Sequence, residues 1–388
     1  MQRNVLYTKA PKFILALAVL FLMTGCDTST SPWDQTLETG TPSAQVPSTP
    51  APQAVLPKPP APVGKTKVAL LVPMTGRGSD AGQAMLNAAQ LAMFDLGADS
   101  FELIPSDTGM SATAAAHDAV NNGAKLILGP LFAEDARVAS PIAQQAGINL
   151  LSFSTDRTVA NSNTFILGFL PQSQVNSILE YAGSKQLNRI ALIAPNDAYG
   201  NAVASTFDLA LQQRGLINGG VLRYSGTQPA PAQLQQFITA NSFNAVLIAA
   251  NISQSAAIAQ NLPSSVQKLG TGLWDQVDGS AYPSLAGAWY AAVSPTSRKK
   301  FESRYNDTYG AVPPRLASLA YDAAALAVVL SKQGQGFGRN TLANPNGFSG
   351  IDGIFRLLPD GLNERGLAVL QMGSGQAIII QEAPKTFR

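Results

Sequence analysis

Apolar and polar positions alternate along the chain in a strand–helix rhythm that begins shortly after residue 65. Val68–Val72 is a continuous apolar run, as expected of a buried parallel strand. From Asp80, apolar residues recur at helical spacing as far as Leu96, and Gly97 follows as a helix stop. Further strands are predicted at Phe101–Ile104, Lys125–Leu128 and Ile148–Ser152, with helices at Ser111–Asn122 and Glu134–Ala146. This order predicts an open parallel sheet with right-handed crossovers.

The same rhythm repeats after Phe165–Gly168. Strands are predicted at Arg189–Ala194, Val221–Tyr224, Ala245–Ala250 and Lys268–Leu273, and helices at Ser173–Ala182, Ala202–Arg214, Pro231–Thr239, Ser253–Asn261, Phe301–Tyr309 and Arg315–Ser331. The last apolar runs, Ile354–Leu357, Leu367–Met372 and Ala377–Ile380, are expected to form an antiparallel meander. We therefore expect an α/β fold with two lobes, in which the loops after the strands line a crevice: Pro73–Asp80, Gly129–Ala133 and Phe153–Arg157.

The N-terminal residues have the pattern of an export signal. A basic segment precedes the apolar run Phe13–Met23, which is too short for a permanent membrane helix. Met23-Thr24-Gly25-Cys26 follows, and Cys26 is the only cysteine of the chain. Residues 1–25 therefore predict a lipoprotein signal peptide, and Cys26 is the predicted lipidation site. An ordinary signal peptide cut elsewhere is the alternative.

A Pro-rich stretch separates this segment from the lobes. Residues 26–65 are rich in Pro, Ser, Thr and Ala and contain few large apolar side chains. Such a composition cannot bury enough surface to offset its ordering entropy, so we expect a disordered linker. Residues 66–388 then form the folded domain, and their number predicts more than one core.

Composition restricts the chemistry. Charged residues are 13% of the chain and the net charge is +2, so a nucleic-acid partner is not expected. The single histidine, His117, lies in a predicted helix. One histidine and one cysteine give neither a His/Cys metal cluster nor a convincing catalytic triad. The sequence predicts a protein that is not an enzyme and has no metal or cofactor, although paired carboxylates leave an envelope hydrolase as a minor alternative.

Several segments resemble a known family. VALLVPMTGRGSDAGQAMLNAAQLA, LILGPLFAEDARVASPIAQQAGINLLSFSTD and RIALIAPNDAYGNAVASTFDLALQQRG look like the successive segments of type I periplasmic binding proteins. The resemblance implies two Rossmann-like lobes joined by three crossings, near Phe165–Phe169, Tyr290–Val293 and Phe348–Gly353. It assigns residues 66–168 and 294–350 to lobe 1, and residues 169–293 and 351–388 to lobe 2.

The C-terminal third resembles a narrower group. GAWYAAVSP, PPRLASLAYDAAALA and NPNGFSGIDGIFRLLPDGLNERGLAVLQM look like the lipoproteins known as penicillin-binding protein activators. That resemblance implies a regulatory role through binding a peptidoglycan synthase. A solute-binding lipoprotein of an ABC transporter, for amino acids or related small molecules, is the alternative.

The resemblance also implies candidate cleft residues. By position, Ser154 and Thr155 supply hydroxyl groups from lobe 1, Tyr199 covers the ligand from lobe 2, and Asp275 lies near the acid that binds an ammonium group. Arg77 is a further candidate for an anionic ligand group. Each also has a structural explanation: turn capping for the two hydroxyls, packing for Tyr199, and a solvated loop charge for Arg77.

One position departs from the amino-acid binders. Ala133 stands where they usually carry serine, which removes a hydrogen bond to a carboxylate worth about 1.5–3 kcal/mol. Phe132 beside it is expected to narrow the crevice. The cleft is therefore a candidate for a small-molecule site, but amino-acid specificity is in question.

Localisation follows from the N-terminal prediction. We expect a lipid-anchored protein of the cell envelope that faces the periplasm. The resemblance to the activators favours the outer membrane. Asp27, directly after the lipidation site, resembles an inner-membrane retention signal and keeps that location open.

Overall fold

The structure is a computed structural model that describes residues 64–99, 101–275 and 277–387. The strands are β1 (Thr66–Val72), β2 (Phe101–Asp107), β3 (Leu126–Leu128), β4 (Asn149–Ser152), β5 (Thr164–Ile166), β6 (Arg189–Pro195), β7 (Ile217–Tyr224), β8 (Ala245–Ile248), β9 (Gln267–Gly270), β10 (Trp289–Ala292), β11 (Phe348–Gly350), β12 (Gly353–Leu357), β13 (Asn363–Arg365), β14 (Ala368–Gln371) and β15 (Ile378–Gln381). The α-helices are α1 (Ser79–Asp95), α2 (Ala112–Asn121), α3 (Ala133–Gln145), α4 (Pro171–Ser184), α5 (Ala198–Arg214), α6 (Pro231–Ala240), α7 (Ile252–Ala259), α8 (Pro295–Tyr309), α9 (Ala317–Lys332) and α10 (Arg339–Leu342). The predicted lipidation site and nearly all of the predicted signal and linker lie outside the described residues.

The first sheet is fully parallel and has the order β2-β1-β3-β4-β5. Successive side chains of β1 point to opposite faces. Val68 and Leu70 pack in a core that includes residues of α1 and α9, whereas Ala69 and Leu71 pack in a second core with α2 and α3. Burial on both faces explains why this strand is a continuous apolar run rather than an alternating one.

The second sheet repeats this topology. Its order is β15-β14-β10-β9-β8-β6-β7, and the five strands from β6 to β10 are parallel and follow the same order as the first sheet. Two antiparallel strands, β14 and β15, extend it beyond β10. The predicted α/β fold of the type I periplasmic binding protein kind, with two lobes, is confirmed.

The C-terminal strands differ from the predicted meander. β12 pairs with β11 and β13 in a separate three-stranded sheet, while β14 pairs with β10. Phe355 and Leu357 pack in the core of the first lobe. The chain therefore passes to the second sheet at residues 366–367, and not near Phe348–Gly353 as the sequence suggested.

Side-chain hydrogen bonds explain where this crossing lies. Asn363 donates from its amide nitrogen to the carbonyl oxygens of Ile166 (3.0 Å) and Gly168 (2.8 Å) in the first crossing. The backbone N–H of Arg365 donates to the Ser173 hydroxyl at 3.1 Å. The first and third crossings are thus held side by side, by contacts between residues almost 200 positions apart that a local pattern cannot reveal.

Two smaller differences bear on the cleft. The predicted strand Lys268–Leu273 ends at Gly270 and continues as a 3-10 turn, Gly272–Trp274. Helix α5 begins at Ala198, a turn earlier than predicted, because the Asp197 carboxylate accepts a hydrogen bond from the N–H of Gly200 at 2.7 Å. Within the described residues, no helix combines the length and the hydropathy that a membrane span requires.

Candidate functional site

A cavity of about 1070 Å³ lies between the two lobes, next to the loops that follow the parallel strands. This is the position at which open α/β sheets bind ligands. Its lining comes from both lobes and from the crossings, and comprises Arg137, Thr155, Asp156, Arg157, Thr158, Phe169, Pro171, Gln174, Ala198, Tyr199, Asn201, Ala202, Ser205, Gly272, Leu273, Asp275, Ala292, Val293, Arg315 and Leu367. The structure therefore brings together three of the five cleft candidates: Thr155, Tyr199 and Asp275.

The lobe 1 wall carries a cluster of polar side chains that bond to one another. Asp156 accepts hydrogen bonds from the N–H and the hydroxyl of Thr158, at 2.9 and 2.7 Å, and pairs with Arg137. The hydrogen bonds from Thr158, together with the charge of Arg137, hold the Asp156 pKa below its usual value, against the opposing effect of burial. Thr155 and Arg157 are exposed on the same wall. Their side chains are therefore accessible to a solute in the cavity.

Ser154 and Arg77 do not line this cavity. Ser154 is buried, and its hydroxyl accepts a hydrogen bond from the Asp156 N–H at 3.0 Å, so it caps the turn. Arg77 is 77% exposed, pairs with Glu134 at 3.2 Å and lies over the Phe132 ring at 4.4 Å. Phe132 and Ala133 are also absent from the lining. The expected narrowing by Phe132 is therefore not observed, because this ring packs beneath Arg77.

Tyr199 forms part of the lobe 2 wall, on the first turn of α5. Its hydroxyl lies 2.7 Å from the Thr271 hydroxyl, with which it shares a hydrogen bond. Burial raises the Tyr199 pKa to about 12, so the phenol stays protonated at any physiological pH. The ring is thus a fixed, neutral surface on the lobe 2 side of the cavity.

Asp275 lines the cavity, directly after the buried Trp274. The indole N–H of Trp274 donates to the Ser255 hydroxyl (3.0 Å) and the Ala250 carbonyl (3.2 Å). Asp275 Oδ2 lies 3.7 Å from Nε of Arg315. The carboxylate expected to bind a ligand ammonium therefore already faces a cation of the protein.

Arg315 is held from the lobe 1 side. Its Nη1 donates to both carboxylate oxygens of Asp352, at 3.0 and 3.1 Å, and to the Ser318 hydroxyl at 3.0 Å. Ser318 in turn donates to Asp352 at 2.7 Å. Asp352 is fully buried, and the Arg315 guanidinium also lies 3.7 Å from the centre of the Phe169 ring. We call Asp275, Arg315 and Asp352 the hinge cluster.

Asp322 lies close behind the hinge cluster. Its Oδ1 accepts a hydrogen bond from the N–H of Ile351 at 2.7 Å, and the side chain is almost fully buried. Burial, followed by the charge of Asp352, raises the Asp322 pKa to about 7, although Arg365 and two backbone N–H groups oppose that rise. Asp322 therefore exchanges its proton near neutral pH while the chain is folded.

This raised pKa predicts a dependence of stability on pH. An unfolded aspartate titrates near pH 3.9, so between about pH 4 and 7 the folded chain keeps a proton that the unfolded chain has lost. The stability that Asp322 contributes is complete below pH 4 and falls as pH rises towards 7. In Asp322→Asn the free energy of unfolding should fall less steeply over this interval, as measured by urea denaturation at several pH values. Parallel curves for the two proteins would contradict the assignment, and Asp118→Asn, at an exposed helix position, is the control.

The described residues contain no group of three or more His, Cys, Asp or Glu side chains that could hold a metal ion. His117 lies exposed on α2, on a different element from every residue that lines the cavity. The arrangement offers hydrogen-bond donors, ion pairs and an aromatic surface. These groups can hold a ligand through non-covalent contacts.

Sequence reasoning missed Arg315, which lines the cavity, and Asp352, which holds Arg315 from behind the lining. Arg315 and Asp352 lie 37 positions apart and meet only through the tertiary fold. A weak local signal exists, because Arg315 and Asp322 interrupt an apolar helical stretch at positions where burial requires a partner. Phe169 and Arg137 gave no comparable signal.

Comparisons with known protein families and solved structures identify the same two-lobed fold. The family model described as periplasmic binding protein matches residues 65–376. A search of curated proteins found no match. The fold is similar to that of a putative branched-chain amino acid ABC transporter protein from Rhodospirillum rubrum, with a TM-score of 0.73 and 18% identity over 81% of this chain and 100% of that one.

Two further structures widen the comparison. The C-domain of LpoA from Haemophilus influenzae, described as a regulator of PBP1A, matches with a TM-score of 0.65 and 19% identity over 81% of this chain and 100% of that one. The leucine binding protein LivK from Thermotoga maritima matches with a TM-score of 0.56 and 21% identity over 82% of this chain and 98% of that one. At these identities the likeness shows the fold alone, which proteins of ABC transport and a regulator of PBP1A share.

Proposed function

Because the chain belongs to the periplasmic binding protein family, we propose that it is a non-catalytic envelope lipoprotein that regulates peptidoglycan synthesis by binding a penicillin-binding protein. The observation that carries this proposal is the ion pair between Asp275 and Arg315. A receptor for free amino acids needs a carboxylate free to receive the ligand ammonium. Here that carboxylate faces an internal guanidinium.

Two other features support the same conclusion. The Ser154 hydroxyl caps a turn instead of facing the cavity, and Ala133 has no hydroxyl to offer a ligand carboxylate. The carboxylate of a bound amino acid would therefore lack both of these hydroxyl hydrogen bonds. The LpoA C-domain, which has this fold over 81% of the chain, is described as a regulator of PBP1A, and its role is the one we extend to this protein.

The proposal includes the location of the protein. Lipid on Cys26 would anchor the chain in a membrane, with residues 66–388 in the periplasm. The outer membrane is the favoured location, and Asp27 is the reason to test the inner membrane as well. The linker of residues 26–65 would give the domain reach towards a membrane-bound synthase.

Substitution of the predicted lipidation site tests the anchor. In Cys26→Ala we expect the protein to move from the membrane fraction to the soluble periplasmic fraction, because acyl chains supply about 0.8 kcal/mol per buried CH₂ group. Cell fractionation with immunoblotting measures this, and separation of the two membranes by density assigns the location. Ser31→Ala, a few residues downstream, is the control. An unchanged membrane fraction in Cys26→Ala would refute the anchor.

The regulatory role is tested with the full-length lipoprotein in detergent. It should co-purify with the cognate bifunctional peptidoglycan synthase and change the rate of glycan polymerisation by several-fold. Heat-denatured lipoprotein at equal concentration is the control for nonspecific effects on the assay. Failure to bind, together with an unchanged polymerisation rate, would refute the proposal.

A second function has one observation in its favour. The cavity of about 1070 Å³ is large enough for a small molecule, and Thr155, Arg157 and Tyr199 line it. A solute receptor of an ABC transporter would use these groups, with Arg157 favouring an anionic ligand. Saturable binding of a carboxylate that disappears in Arg157→Ala would support this alternative over the regulatory one.

A further inference from the structure

Arg315 contacts residues of both lobes and the aromatic ring of the first crossing. Its Nη1 holds Asp352 of lobe 1, its Nε faces Asp275 of lobe 2, and its guanidinium lies over Phe169 in the first crossing. Arg365, the last residue of β13 and directly before the third crossing, lies 4.9 Å from the centre of the same Phe169 ring. Arg315 and Asp275 belong to different lobes, so a rotation of one lobe against the other changes their separation unless the axis passes through the pair.

The lobe 1 part of this arrangement is held by several hydrogen bonds. Asp352 accepts from Arg315 through both oxygens and from Ser318, and it is fully buried. The Asp275 contact is looser, at 3.7 Å, and the Arg315 and Asp275 side chains retain 24% and 12% of their exposure. The guanidinium is therefore fixed on one lobe and presented to the acid of the other.

We propose that Arg315 is a built-in cation for the interlobe cleft, which occupies Asp275 in place of a ligand ammonium and holds the lobes together without a ligand. Arg315 therefore determines specificity. A ligand with an amino group must displace the Arg315 guanidinium from Asp275, and the guanidinium, as part of the chain, loses no translational or rotational freedom when it binds. The inference rests on the same ion pair as the proposed function, but the two are tested by different measurements. Binding to the synthase can fail while the cleft tests below succeed, and the cleft tests can fail while synthase binding is observed.

The first test removes the lobe 2 acid. Asp275→Asn leaves Arg315 bonded to Asp352 and Ser318, so the variant should fold. Loss of the interlobe attraction should raise hydrogen–deuterium exchange in residues 167–170, 293–294 and 366–367 by about twofold to tenfold relative to the native chain. Asp95→Asn is the matched control, since Asp95 pairs with Arg304 at 3.0 Å within lobe 1. Equal exchange at the crossings in Asp275→Asn and the native chain would overturn the inference.

The second test asks whether the site accepts a cation from solution. In Arg315→Ala, methylguanidinium at about 10 mM should raise the melting temperature by about 3 °C, because it can bind between the two acids that Arg315 bridged. The native chain should show no such rise, since its own guanidinium fills the place. The double variant Arg315→Ala/Asp275→Asn should lose most of the effect, which separates a bridging site from simple compensation of Asp352.

Rescue of Arg315→Ala that depends on Asp275 supports a built-in cation. Rescue that is equal with and without Asp275, or no rescue of Arg315→Ala at all, overturns it. An ion pair with a purely local structural role would not produce a rescue that needs a residue of the other lobe. If Arg315→Ala cannot be purified, the exchange of Asp275→Asn decides the question.

Discussion

We expect Asp352→Ala to lower the free energy of unfolding by about 3–5 kcal/mol, because it leaves buried positive charge without its partner. Asp352 is fully buried and accepts three hydrogen bonds, two from Arg315 and one from Ser318. Its charge also acts on the buried guanidinium of Arg365. Urea denaturation followed by tryptophan fluorescence measures the change.

Two control variants separate charge from shape at this position. Asp352→Asn keeps the volume and one acceptor oxygen, so its loss should be smaller than that of Asp352→Ala. Asp118→Ala, at an exposed position on α2, should change the free energy by no more than about 0.5 kcal/mol. A loss below 1 kcal/mol in Asp352→Ala would show that the hinge cluster is not a stabilising element.

Trp274→Ala is the second substitution for which we expect a large loss, about 3–5 kcal/mol in the free energy of unfolding. Trp274 is fully buried in the core of lobe 2, and its ring lies 6.1 Å from that of Tyr290. A methyl group added at Gly270 would lie 2.4 Å from the ring, which shows how closely the backbone covers it. The substitution would leave a cavity beneath the turn that carries Asp275.

A second variant tests how much the indole N–H hydrogen bonds of Trp274 contribute to the free energy of unfolding. Trp274→Phe keeps most of the apolar volume but leaves the Ala250 carbonyl and the Ser255 hydroxyl without the indole donor, so a loss of about 1–3 kcal/mol is expected. Trp289→Phe, at a half-buried position on β10, should cost less than Trp274→Ala. If Trp274→Ala and Trp289→Phe cost the same, Trp274 would not be the anchor of this turn.

Most of the fold could be predicted from the sequence because its strands are short apolar runs between amphipathic helices. Val68–Val72 is an example: burial on both faces requires every residue to be apolar, and the sequence shows that directly. The C-terminal strands could not be placed in the same way. Their apolar runs predict strands, but nothing local distinguishes the β12–β13 hairpin of lobe 1 from the β14–β15 pair of lobe 2.

The site was predictable where a loop follows a strand and not where distant residues meet. Thr155 and Tyr199 lie in or next to such loops, and the structure places both in the cavity lining. The position of Asp275 was also foreseen, but its partner was not, since Arg315 reaches it from a different lobe. Arg77 and Ser154 belong to loops of the same kind, and only their tertiary contacts show that they face Glu134 and the Asp156 N–H.

The hinge cluster bears on both the stability of the domain and its proposed function. The residues that would discriminate a receptor from a regulator are the same ones whose removal should destabilise the domain. If Arg315 occupies Asp275, the cleft needs no amino-acid ligand to hold the two lobes together. The surface that binds the penicillin-binding protein would then lie outside the cleft.

The most direct test of the central claim is a thermal-shift measurement on the full-length chain with each of the twenty amino acids at 1 mM. A receptor with a dissociation constant of about 10 µM would gain about 2.7 kcal/mol from ligand at a hundredfold excess, which corresponds to a rise of about 5 °C in melting temperature. Because Asp275 faces Arg315, we predict shifts below about 1 °C for the whole set. A saturable rise of several degrees with any one amino acid would contradict the account and identify the protein as a solute receptor.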